Sequence, residues 1–324
     1  MAGRRVIVKV PASTANLGPG FDSLGMALSL YAWVEMSASE STVIRLYGDH
    51  LEGVPTDKSN LIYDVAQSVF REAGVDIPEL DIAMYSDIPL TRGLGSSASA
   101  VVGALVAANA LIGSPLSQDK LFQMATALEG HPDNVGASLF GGIVVASWDG
   151  VRAEAVRLEA PSSLEAVVAI PSYQLSTEKA RHALPSQIAM SDAVFNVASS
   201  SLLVAALASG RLELIRHAMR DRLHQPYRAP LIPGMPEILA RACDFGALGV
   251  ALSGAGPTML ALVQAGDPRI AELERFLRDV LEREGAACEL MRLKPCAEGA
   301  RVTLLEHDAD YSTLEHWIRK EVEV

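Results

Sequence analysis

Apolar and polar positions change period several times along the chain, and each change predicts an element. Alternation predicts strands at Arg5–Val10, Leu28–Ser37 and Leu80–Tyr85. Gly142–Trp148 and Val151–Leu158 read as a strand pair joined by a Trp-Asp-Gly turn. Helical spacing predicts a helix capped by Ser59 and closed by Gly74, one over Ser97–Leu111, and one capped by Ser117 that runs through Leu128. Pro11–Gly20 is loop by composition. A second pattern starts with a strand at Ala166–Ile170. Helices follow at Thr177–Ala183, Met190–Leu207, Leu212–Met219 and Glu237–Phe245. Strands at Leu248–Leu252 and Met259–Val263 flank a glycine-rich turn. Ile270–Arg283 is amphipathic, and Cys288–Lys294 and Ala300–Leu305 complete the order. The mixed order is α+β rather than strict βα alternation. A break near residue 160 divides the chain into 1–160 and 161–324, with no internal repeat.

Composition narrows the class. The 324 residues are 49% hydrophobic and 20% charged, as in a globular protein of about two domains. A net charge of −12 argues against nucleic acid and anionic membranes as partners. It also means that any phosphate ligand needs local help from backbone N–H groups, a metal or arginines. Cys243, Cys288 and Cys296 are odd in number, lack metal-site spacing, and read as reduced thiols of an intracellular protein. The N-terminal MAGRRVIVKV lacks the apolar core of a signal peptide. Residues 93–118 carry no charge, but they are rich in Ala, Gly and Ser, which predicts a buried helix rather than a membrane span.

Chemistry concentrates first in the segment from residue 89 to 99. Pro89, Leu90, Thr91 and Arg92 lead into Gly93, Leu94 and Gly95, and Ser96, Ser97, Ala98 and Ser99 open a helix. Glycines let backbone approach a ligand closely. The helix start offers unpaired N–H groups and the positive end of a dipole, a site for an anion. No lysine follows a glycine, which excludes the Walker P-loop. Gly93-x-Gly95-x-x-Ala98 also fits a dinucleotide fingerprint, and a plain linker fits as well. Three further segments bear on the choice. VPASTANLGPGFDSLGMAL (Val10–Leu28) places Asn16 and Asp22 around a glycine–proline bend. EGHPDNVGASLFGG (Glu129–Gly142) packs a Glu, a His, an Asp and an Asn into six residues. ALSGAGPTMLAL (Ala251–Leu262) sets a glycine turn between apolar strands.

Together with STEKAR (Ser176–Arg181) and LHQPYR (Leu223–Arg228), these segments resemble the GHMP kinases, in the expected order and over nearly the whole chain. The likeness is strongest to members that phosphorylate L-homoserine for threonine biosynthesis. The resemblance implies a two-domain GHMP kinase fold, with a mixed α/β N-terminal domain, a ferredoxin-like α+β C-terminal domain and an active site in the cleft between them. It implies ATP and Mg2+, a cytoplasmic location and a homodimer. The residues from Pro89 to Ser99 would hold the triphosphate, and Ser97 and Glu129 the metal. Asn16, Asp22, His131, Asp133 and Asn134 would line the substrate pocket, Thr177, Arg181 and Arg228 would meet the carboxylate end, and Gly254 and Gly256 would close the pocket. Asp22 or Asp133 can serve the ammonium group. Transfer would need no strong general base, with Asn134 holding the hydroxyl; Asp133 is the alternative base. The family pattern DNVAPA reads DNVGAS here, and Ala137 in place of proline is expected to loosen the bend after Asn134. Another GHMP kinase, acting on mevalonate or a related alcohol, and a non-catalytic nucleotide-binding protein of the same fold remain as alternatives.

Overall fold

The computed structural model describes residues 4–305 and 314–322. Residues 1–3, where the segment read against a signal peptide begins, lie outside the described residues. In chain order the elements are β1 (Arg5–Ala15), β2 (Leu24–Ala38), β3 (Val43–Tyr47), α1 (Leu61–Glu72), β4 (Leu80–Ser86), α2 (Ser96–Leu111), α3 (Gln118–Glu129), α4 (Asp133–Phe140), β5 (Ile143–Trp148) and β6 (Ala153–Leu158). The second half adds β7 (Leu164–Pro171), α5 (Thr177–His182), α6 (Met190–Ser209), α7 (Ile215–Ala218), α8 (Gln225–Arg228), α9 (Met235–Arg241), β8 (Gly249–Leu252), β9 (Met259–Gln264), α10 (Ile270–Arg283), β10 (Cys288–Leu293), β11 (Arg301–Leu305) and α11 (Leu314–Val322).

Two sheets organise these elements. The larger has seven strands: the path β11-β1-β2-β4-β3, with β5 pairing β2 and β6 beyond it. The smaller runs β10-β7-β9-β8 and is antiparallel throughout. Numbered within its own unit, that order is 4-1-3-2, the ferredoxin-like arrangement. The chain is therefore α+β as expected, and its smaller sheet has the ferredoxin-like order expected of the second unit. One boundary differs. β11 pairs β1 antiparallel, with Arg5 opposite Leu305, so the last strand belongs to the first sheet by hydrogen bonding and not to the unit that begins at residue 161.

α2 shows why small residues gather in the charge-free stretch. Thirteen of its sixteen residues are buried, against β1, β2, α1, α3 and α4, which suits a helix apolar on every side. A Cβ on Gly103 would stand 2.8 Å from the Val34 side chain, so glycine sets how closely α2 lies on β2. α10 is the opposite case. Ile270, Leu273, Phe276, Leu277, Val280 and Leu281 form one buried stripe, and its predicted limits coincide with the observed ones. Between the sheets, Leu17, Leu24, Met26 and Leu28 share one apolar cluster with Val168, Leu203, Met219 and Leu260, which joins the two units.

Several expectations change. Pro11–Ala15 is strand rather than loop, because β2 pairs with it past a bulge at Pro11/Ala12 and the Ser13 N–H donates to Leu94 O. The cap of α1 is Asn60, whose Oδ1 accepts the Ile62 N–H at 2.8 Å, while Ser59 instead bonds Asp57. β3, α4 and α11 have no counterpart in the pattern reading. Leu212–Met219 and Glu237–Phe245 each divide into a 3-10 turn and a short helix. The Gly136-Ala137-Ser138 departure does not loosen a bend. It lies inside α4, where Ala137 is buried and Ser138 Oγ donates to Pro11 O at 3.1 Å. α6 is long and apolar enough to cross a membrane by length and composition, and its Asn196, Ser199, Leu203, Ala206 and Leu207 are buried.

α4 sits against β2 through Gly25, where a Cβ would meet Asp133 O at 2.1 Å. Backbone cannot yield as a side-chain tip does, so Gly25→Ala is expected to cost about 1–3 kcal/mol of stability. Urea unfolding checks this, and a stability equal to the parent's would contradict the close packing.

Candidate active site

Six segments converge on one cleft. The β1–β2 connection brings Asn16, Phe21 and Asp22, and the loop before α2 brings Thr91, Gly93 and Gly95. The α3–α4 corner brings Glu129, His131, Asp133 and Asn134. Thr177, Arg181, Arg228, Gly254 and Gly256 come from the second unit. Ser96, Ser97 and Ala98 complete the lining from the start of α2. The remaining residues of the predicted loop do otherwise. Pro89 and Leu90 stand outside the lining, and Leu94 is in the core. Ser99 Oγ bonds Ser96 O, and Arg92 reaches away to Ser172 O at 2.6 Å. Burial without a carboxylate partner lowers the Arg92 pKa.

The loop earns its glycines by contact. Gly95 caps α2 at φ 73°, and a Cβ there would lie 2.1 Å from Ser13 Oγ. Gly93, at φ 81°, passes so near the second unit that a Cβ would lie 2.3 Å from Ser253 O. Within α2, Ser99 N–H donates to Gly95 O, which leaves the Ser96, Ser97 and Ala98 N–H groups without helical partners at the cleft. Ser97 Oγ donates to Glu129 Oε1 at 2.6 Å, which sets two hard oxygen donors beside that helix terminus. They fit Mg2+, which is commonly held by one or two protein oxygens, with phosphate and water completing its shell.

The α3–α4 corner is a short polar chain. Asp133, 1% exposed, accepts at Oδ1 from the Asn134 N–H at 2.8 Å and lies 2.7 Å from His131 Nδ1. Ser13 Oγ donates to Asn134 Oδ1 at 2.9 Å. That bond fixes the Asn134 amide with its nitrogen on the other side. Burial opposes a charge on His131, but the hydrogen bond and charge of Asp133, with Asp22 and Glu129, outweigh it and hold the imidazole above its usual value.

On the facing wall, Arg181 holds Asp22 with two bonds of 2.8 and 3.0 Å, and this raises the arginine's pKa. Arg228 is 2% exposed. Its Nε donates to Ala180 O and its Nη1 to Gly254 O at 3.0 Å, which leaves Nη2 without a protein partner among the described residues. Burial and the nearby Arg181 lower its pKa to about 10. Phe21 lies beneath both guanidiniums, 5.6 Å from Arg181 and 5.3 Å from Arg228. Sequence reasoning passed over Phe21, which carries no polar signal, and over Ser13, whose role shows only once β1 and α4 are adjacent.

The sequence matches the GHMP kinases N terminal domain over residues 60–142 and the GHMP kinases C terminal domain over residues 203–283. It is 45% identical to homoserine kinase of Moorella thermoacetica over 91% of this chain and 99% of that protein. It is 43% identical to homoserine kinase of Deinococcus radiodurans over 94% and 98%. Among solved structures, homoserine kinase from Cytophaga hutchinsonii matches with a TM-score of 0.84 at 29% identity, covering 94% of this chain and 98% of that one. Phosphomevalonate kinase of Streptococcus pneumoniae, with a TM-score of 0.66 at 16% identity over 90% and 99%, shares the fold.

His131 gives the site a pH signature. Its folded value is raised, so its stabilising charge is fully present below the unfolded imidazole value of about 6.5 and is lost as pH rises through the folded value. His131→Asn is expected to narrow its stability gap to the parent as pH climbs through that window. Urea unfolding across the range reads the gap, and a constant gap would refute the assignment.

Proposed function

The chain belongs to the GHMP kinase family, and from that premise we propose that it transfers the γ-phosphoryl group of ATP to the side-chain hydroxyl of L-homoserine, forming O-phospho-L-homoserine for threonine biosynthesis. One observation carries the substrate: the cleft that contains the open terminus of α2 also contains a carboxylate and two guanidiniums within reach of a single ring, Phe21. A phosphate needs the first feature, and an amino acid needs the second. The strong likeness to homoserine kinases, against a likeness in fold alone to phosphomevalonate kinase, points the same way. The reading carries with it a cytoplasmic enzyme working as a homodimer.

The triphosphate lies against the N–H groups of Ser96, Ser97 and Ala98, where the glycines admit it to backbone contact. Ser97 and Glu129 would hold Mg2+, which when bound would neutralise charge on the phosphate oxygens. Asp22 meets the substrate ammonium group, while Arg181 and the Nη2 of Arg228 meet its carboxylate, with Thr177 beside them. Asn16 braces this wall: its amide donates to Gly254 O, and its Oδ1 accepts from the Asp22 N–H. Gly254 and Gly256 close the pocket. Asn134 directs its amide nitrogen at the substrate hydroxyl and holds it for in-line attack. Asp133 spends one oxygen on His131 and Asn134, so it orients that corner rather than accepting the proton. Positioning and charge stabilisation then dominate, as expected for a loose phosphoryl-transfer transition state.

ADP formation with a panel of alcohols, with and without Mg2+, tests the reading. Turnover is expected with L-homoserine and to require the metal; turnover with a non-amino alcohol alone would overturn it. Ser97→Ala and Glu129→Gln are each expected to lower kcat by about 10- to 100-fold and to raise the Mg2+ requirement. Arg228→Ala is expected to act chiefly on homoserine KM, raising it by ~10- to 100-fold through the loss of a charge-assisted bond. Unchanged kinetics for Glu129→Gln would remove its metal role.

A further inference from the structure

His224 takes no part in the chemistry above, yet its surroundings constrain it tightly. It stands just before α8 and is 0% exposed. Its Nε2 lies 2.8 Å from Gly18 O, and its Nδ1 lies 3.3 Å from Arg228 Nη1. A carbonyl oxygen accepts only, and a guanidinium donates only. The hydrogen must therefore be on Nε2 and the lone pair on Nδ1, and the neutral ring is the form that satisfies both partners. The imidazole also stacks on Phe21, with centroids 5.1 Å apart and planes 29° apart. One side chain thus touches the loop that carries Asp22, the aromatic floor of the cleft and the buried arginine.

We propose that His224 is a positioning residue for the substrate carboxylate: its Nδ1 holds the Arg228 guanidinium in the plane that presents Nη2 to the cleft, and its Nε2–H fastens the Gly18–Asp22 loop. The proposal rests on the amino-acid substrate read above. The charged groups around the ring are Asp221, Arg228 and Asp22, with Arg181 across Phe21. Asp221 Oδ2 is 3.7 Å from Nε2, and the Asp221 carboxylate is fixed by the N–H groups of Leu223, His224 and Gln225 and by the Asn196 amide. Burial lowers the His224 pKa, and Arg228 adds to it; Asp221, the Gly18 carbonyl and Asp22 oppose without reversing it. Protonation would turn Nδ1 from acceptor to donor, against a donor. Carboxylate binding should therefore weaken as pH falls below the ordinary imidazole range.

Two amide variants separate the ring's two bonds. Asn at 224 places an acceptor oxygen where Nδ1 stands, and Gln places a donor nitrogen where Nε2 stands. His224→Gln is expected to raise homoserine KM about tenfold, the effect of one bond to a charged group, with kcat and the KM for ATP nearly unchanged. His224→Asn, which keeps the acceptor toward Arg228 but loses the bond to Gly18 O, should raise homoserine KM less than His224→Gln does and show its main cost as a lower Tm. Equal homoserine KM in the Asn and Gln variants, or equal effects on homoserine and ATP, would each overturn the proposal. A parent that turns over no homoserine would overturn the functional reading first, and the proposal with it.

Discussion

One carbonyl oxygen, that of Gly254, receives hydrogen bonds from Asn16 Nδ2 and Arg228 Nη1, each at 3.0 Å. The Gly254 N–H in turn donates to Ala15 O. This single residue joins the end of β1, the helix that carries Arg228 and the turn between β8 and β9. Gly93 passes close by, its carbonyl accepting from Ser253 Oγ. The cleft lies where the two units meet, and the spacing of its walls depends on backbone atoms in contact. Gly254 at φ 55° and Gly93 at φ 81° make that approach feasible, since a Cβ at Gly93 would collide with Ser253 O. A change at any of these positions therefore moves the two walls of the cleft together.

The same arrangement answers the charge problem. A protein of net charge −12 must bind a polyanion, and its cleft contains three carboxylates, Asp22, Glu129 and Asp133. Each is committed to a partner: Asp22 to Arg181, Asp133 to His131 and the Asn134 N–H, and Glu129 to Ser97, where the proposed metal would sit. What remains for a phosphate is the backbone of α2, which offers partial positive charge without a cationic side chain. The lowered pKa of Arg228 belongs to the same picture. At about 10 it still leaves the guanidinium charged near neutrality, so burial has bought orientation without losing the cation.

Most of the site is legible in the sequence, because motif residues lie in short segments whose polar members point to their chemistry. Asn16, Asp22, Glu129, His131, Asn134 and Arg181 all reach the cleft from such segments. The misses have physical causes. Pro11–Ala15 shows no period because its small residues fit a strand buried on all sides, which only the approach of β2 and Leu94 defines. α4 is eight residues long, follows a proline and contains a glycine, so it carries almost no local helical signal. β11 is a matter of long-range pairing, and nothing near residue 301 says that it returns to Arg5. Arg92, placed with the loop by its neighbours, leaves the cleft because Ser172 O offers a partner across the unit boundary. Phe21 and His224 act by stacking and by a buried tautomer, and neither shows in a linear pattern.

The Asp22–Arg181 pair has a consequence for selectivity. Their side chains are 33% and 37% exposed, and an ion pair so wetted is worth about 0–1 kcal/mol. Opening it costs little. A substrate with both an ammonium group and a carboxylate can satisfy each partner as it separates them, so the charges exchange partners and none is left unpaired. An alcohol with only one of those groups strands the other residue, Asp22 or Arg181, at the edge of a partly desolvated cleft. Such a penalty can reach about 1–3 kcal/mol, more than the pair itself is worth. In the proposed binding mode, discrimination on this wall therefore comes less from the strength of the new contacts than from the residue that a wrong substrate leaves without a partner.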